Sequence, residues 1–112
     1  MAWLKEYEGE EKPFFLYLAY TAPHYPLHAK PKDIAKYDGV YDAGYDVIRD
    51  ARYQRQLEMG MFDAASAPLS KAEQTNSWTD LSTAEREKEI LRMQIYAGMI
   101  DCLDQNLSLI HI

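Results

Sequence analysis

Cysteine occurs once, as Cys102, so no disulfide can form within these 112 residues and cysteine usage says nothing about redox compartment. Long apolar runs are missing too. The longest, from Phe14 to Ala22, falls well short of the ~20 residues of a helical membrane span, so no membrane partner is expected. The first residues also lack the basic-then-apolar order of a secretory leader. Basic residues are scarce, with 12 Lys and Arg against 18 Asp and Glu and a formal net charge of -6. Phosphate backbones need clustered cations, so by charge alone no nucleic-acid partner is expected. Phenylalanine is sparse at three residues, whereas tyrosine is abundant at nine.

Six of those tyrosines, Tyr20, Tyr25, Tyr37, Tyr41, Tyr45 and Tyr53, fall in one stretch. Amphipathic rings in such a cluster suit either a half-buried core edge or a ligand cleft. Hydrophobic residues at 47% and charged residues at 27% give the balance of a globular protein, and the length allows one core.

The chain reads as α/β. Residues 2–8 suit a short helix ended by the charged stretch from Glu6 to Lys12. Phe14-Phe15-Leu16-Tyr17-Leu18-Ala19-Tyr20 is continuously apolar or aromatic, the pattern of a strand covered on both faces. Pro23 and Pro26 then exclude both helix and ladder, leaving a loop at the carboxyl end of a buried strand, where open α/β sheets hold ligands. A short helix from Pro31 to Tyr37 follows, then turns at Gly39 and Gly44. Tyr45 to Met59 reads as a weakly amphipathic, largely exposed helix stopped by Gly60. Residues 61–80 read as a surface loop. Ser82 and Glu85 form a capping box opening a helix to about Leu107, with Leu91, Ile95, Met99, Leu103 and Leu107 as its core stripe. A single strand needs neighbours that these residues do not obviously supply, which points to part of a larger fold.

Among chemistry-bearing residues, His24 stands out. Flanking prolines fix the loop that carries it, and an imidazole can donate or accept a proton near neutral pH. A structural histidine bonding loop carbonyls is the competing reading. His24 and His28 have the spacing of paired helical metal ligands, but Pro26 prevents that helix. Asp101 and Asp104, near Asn106, suit either a hard cation or a solvated helix face. Ser66-Ala67-Pro68-Leu69-Ser70 matches (C/S)xPxR except for its last residue, where Ser70 replaces arginine, and reads better as a turn.

Lys12 to Leu27, reading KPFFLYLAYTAPHYPL, resembles a segment of the formylglycine-dependent (type I) sulfatases. The likeness continues through Pro31 to Tyr37 and Tyr41-Asp42-Ala43-Gly44-Tyr45-Asp46, similar to bacterial arylsulfatases. Met93 to Asn106 resembles the family helix MxxYAxMIDxxDxN. This resemblance implies an alkaline-phosphatase-like α/β fold and hydrolysis of small-molecule or carbohydrate sulfate esters. It also implies a formylglycine nucleophile and a calcium ion, both held outside these residues, so that the chain itself contributes no metal ligand. His24 takes the place of the family's sulfate-contacting histidine, and Tyr25 and His28 would line the substrate mouth. Residues 1–107 would be an internal part of the catalytic domain. Residues 108–112 depart from the family pattern and read as a foreign tail. Family membership would also suggest a bacterial periplasmic or secreted location.

Overall fold

The structure, a computed structural model, describes residues 5, 6, 9, 11–13, 15–71 and 77–110. The expected helix over residues 2–8 falls mostly outside them. In chain order the described elements are α1 (Pro31–Ala35), α2 (Tyr45–Glu58), a 3-10 turn (Trp78–Asp80) and α3 (Thr83–Ile110).

Each helix boundary follows from local chemistry. Pro31 opens α1 with a preset φ and no backbone donor to leave unpaired. Gly44 caps α2 at φ 86° and ψ 164°, a region essentially confined to glycine. At the other end, the Met61 N–H donates to the Gln56 carbonyl (3.0 Å) and the Gly60 N–H to that of Leu57 (2.9 Å). With Gly60 at φ 69°, this is a Schellman closure. Ser82 caps α3 as expected. Its backbone N–H donates to Glu85 Oε2 at 2.8 Å, and its hydroxyl donates to the same atom at 2.6 Å. These bonds hold the Glu85 carboxyl below its usual range. The helix runs on to Ile110, through the first residues of the expected foreign tail.

The most extensive packing between the described helices is where α1 lies across α3 at Gly98. A Cβ on Gly98 would stand 3.1 Å from the Ile34 nitrogen and 3.2 Å from Ala29 Cβ, so glycine permits that approach. Ala97 and Met99 beside it are the buried hydrophobic residues among those described. Of the expected core stripe only Met99 is buried, while Leu91 is 51% exposed. The reason is mechanical: a five-residue helix can cover little more than one turn of α3.

The apolar run before the loop also lacks cover. Among the described residues there is no strand, and Phe15 is 92% exposed. A strand exists through ladder bonds to a neighbour, and these residues offer none, so the segment from Phe15 to Tyr20 has no regular structure here. The surface area of 9356 Å² exceeds the roughly 6300 Å² expected of a folded monomer of this mass. The radius of gyration, 19.2 Å, likewise exceeds the ~13 Å of a compact domain of similar length. Large apolar side chains, among them Phe15, Tyr17 and Tyr25, stand exposed.

Candidate functional site

The segment between Thr21 and Lys30 is built as a turn followed by an anchored descent onto α3. The His24 N–H donates to the Thr21 carbonyl at 2.8 Å, closing a tight turn. The Ala22–Pro23 and Tyr25–Pro26 peptide bonds are both cis. Beyond Pro26, the His28 N–H points at Met99 Sδ, 3.3 Å away, tying the loop to the buried turn of α3.

His24 is exposed, and its Nδ1 lies 2.6 Å from the Tyr25 carbonyl oxygen. A carbonyl only accepts, so Nδ1 carries the proton and donates it. Nε2 is thereby left for chemistry. Neutral, it can take a proton; protonated, it donates and brings a positive charge. The ring thus bonds a loop carbonyl through Nδ1, the structural reading of His24, while Nε2 makes no hydrogen bond among the described residues.

His24, Tyr25 and His28 line one open cavity of about 660 Å³, floored by Met99 and walled by Tyr20 and Ala22. Tyr25 is 74% exposed at its rim. A smaller cavity of about 380 Å³ shares Tyr20, Ala22, His28 and Met99 and continues along α3 to Cys102 and Asn106. Cys102 is half-buried and unoxidised.

A polar cluster beneath the loop fixes α1 to α3. The Lys36 ammonium donates to Asp101 Oδ2 at 2.6 Å and lies 3.4 Å from Asp33 Oδ1. Gln105 Nε2 donates to Asp101 Oδ1 at 2.9 Å and to Asp33 Oδ1 at 3.3 Å. The bond from Lys36, followed by that from Gln105, holds the Asp101 carboxyl below its usual range. Its bond to Asp101 chiefly raises the Lys36 ammonium. Asp33 is 1% exposed, and its Oδ2 has no partner among the described residues.

This arrangement decides the cation question for the acids of α3. Asp101 already has an ammonium as its counter-ion, Asp104 is exposed, and Asn106 Nδ2 donates to the Cys102 carbonyl at 2.6 Å. No cluster of three His, Cys, Asp or Glu side chains suited to a metal occurs among the described residues. The described residues do not fit a calcium site. Nor does Ser66 resemble an activated nucleophile. Its hydroxyl donates to the Asp63 carbonyl at 3.1 Å, Ala67 accepts from the Tyr53 hydroxyl at 2.9 Å, and Ser70 accepts from Arg49. The segment is a turn stapled to α2.

Sequence reasoning missed the second polar–aromatic knot, centred on Trp78. Its ring meets Tyr45 edge-on at 5.2 Å and abuts Gly44, while Arg86 Nε donates to its carbonyl at 3.2 Å. No periodic pattern links these residues. The available signal was a lone tryptophan in a polar loop.

No family model matches the chain. It is 39% identical over 101 residues to an uncharacterized sulfatase of Schizosaccharomyces pombe, a match covering 88% of this chain and 18% of that protein. It is 32% identical over 107 residues to an arylsulfatase of Klebsiella aerogenes, covering 96% of this chain and 23% of that protein. The chain spans about a fifth of the length of these relatives. Sequence similarity thus relates it to sulfatases.

Proposed function

We propose that these residues are a segment of a formylglycine-dependent sulfatase that hydrolyses sulfate monoesters, with His24 as its contact to the sulfate group. The observation that carries this reading is the convergence of His24, Tyr25 and His28 on one cavity in a chain similar to named sulfatases. Phe14 to Tyr20 becomes a strand of an alkaline-phosphatase-like α/β sheet when neighbouring strands are supplied from outside these residues. The uncovered apolar surface supports that view.

The chain's own contribution to catalysis is electrostatic and positional. With Nδ1 committed to the Tyr25 carbonyl, a protonated His24 presents Nε2–H to a sulfate oxygen and offsets its charge. The same proton can follow the bond to the leaving oxygen as the ester breaks. Tyr25 and His28 shape the mouth through which the alcohol portion of the ester, small-molecule or carbohydrate, projects. The nucleophile and calcium ligands belong to parts of the protein beyond these residues.

The test uses the natural polypeptide that carries this sequence, assayed with p-nitrophenyl sulfate and p-nitrophenyl phosphate in parallel. Faster turnover of the sulfate ester is expected. Preference for phosphate would move the assignment to phosphate-ester cleavage, and failure to hydrolyse either ester would count against a hydrolase.

A further inference from the structure

A third cavity, of about 520 Å³, lies between α2 and α3 and shares no lining residue with the one around His24. Its volume is that of an ordinary small-molecule pocket. Leu27, at the foot of the Pro-rich loop, joins Ile48 and Met93 in forming apolar wall. Spacings of three and four place Tyr45, Ile48, Arg49 and Arg52 on one face of α2, while Arg92, Met93 and Tyr96 come from α3.

Three guanidinium groups line this cavity in a chain whose net charge is -6. Their engagements differ. Arg49 donates to the Ser70 carbonyl and hydroxyl, both neutral, so its charge is uncompensated there. Arg92 is paired with Glu89. Arg52 makes no hydrogen bond or ion pair among the described residues, and neither do the Tyr41 and Tyr96 hydroxyls. The one acid in the lining, Asp46, accepts the Trp78 N–H at 3.4 Å. Burial chiefly, with Tyr37 adding, pushes the Tyr41 phenol up, while the positive field of Arg52 pulls it down. A half-buried phenol and a cation without a counter-ion therefore share one apolar-walled space.

Unused donors facing apolar walls select their ligand. A guanidinium offers a planar fork matched to the two oxygens of a carboxylate or sulfonate, and phenol hydroxyls can donate to the same oxygens. We propose that this cavity binds an organic anion with an apolar ring body, its carboxylate or sulfonate held by Arg52 and its body against Ile48, Met93 and Tyr96. This site is independent of the sulfate contact at His24.

The experiment is titration of the natural polypeptide, labelled with [methyl-13C]methionine, with 2-naphthoate, 2-naphthalenesulfonate and the neutral 2-naphthalenemethanol. Both anions should bind saturably with one-to-one stoichiometry, moving the Met93 methyl resonance and leaving that of Met99, in the other cavity, in place. Arg52→Met should weaken anion binding about 10- to 100-fold, the loss of a charge-assisted bond, and Arg52→Lys less. Arg52 is exposed, so these variants keep the fold, which circular dichroism verifies. The proposal is overturned by absence of saturable binding, by equal affinity for the neutral alcohol, by indifference to Arg52→Met, or by a response at Met99 instead of Met93.

Discussion

Replacing His24 by alanine in the natural polypeptide should lower kcat/KM for p-nitrophenyl sulfate about 10²- to 10³-fold, the usual effect of removing one preorganised donor to a developing oxyanion. The size follows from the geometry. Nδ1 is fixed by its 2.6 Å bond to the Tyr25 carbonyl, so the ring does not have to be ordered during the reaction and Nε2 is the atom that serves the substrate. His24→Gln can keep a donor but brings no charge, and should recover only part of the loss. Replacing Tyr25 or His28, which shape the rim, should act mainly on KM. A His24→Ala enzyme within threefold of wild type would remove this residue from the site.

The largest structural effect is expected at Gly44→Val. Gly44 sits at φ 86° and ψ 164°, where a side chain costs roughly 1–3 kcal/mol in backbone strain. Its missing Cβ would also stand 2.4 Å from two atoms of the Trp78 ring, so the ring must leave its contact with Tyr45, at a cost of about the same again. The Ile48 N–H, which donates to the Gly44 carbonyl at 3.2 Å, reports the damage: its hydrogen exchange should accelerate as the first turn of α2 opens. Unchanged protection at Ile48 would show that Trp78 does not hold this turn.

Much of the local structure was legible because it depends on residues close in sequence. Pro31, Gly60 and the Ser82–Glu85 box mark helix ends through their own backbone chemistry, and the structure forms all three. The break at Pro23 and Pro26 was legible for the same reason, since proline removes donors wherever it stands. Contacts across long separations were not. Lys36 meets Asp101 across 65 positions, and nothing in either neighbourhood marks the other. Knowing that bond would have settled the choice between cation ligand and solvated face for Asp101. The apolar stripe of α3 was read as core because its spacing is helical, yet burial needs a partner surface, and α1 covers only the turn around Met99. Net charge is equally blind to position, since an acidic total conceals three arginines around one cavity.

These residues should become a finished fold only when further protein covers Phe15, Tyr17 and the outer faces of α2 and α3. Circular dichroism of the isolated 112-residue chain during heating tests this most directly. A broad, shallow loss of helix or aggregation is expected, because the packing between helices is concentrated at the α1–α3 junction. A single sharp transition, with coincident far- and near-ultraviolet signals, would identify a self-sufficient domain and contradict the account.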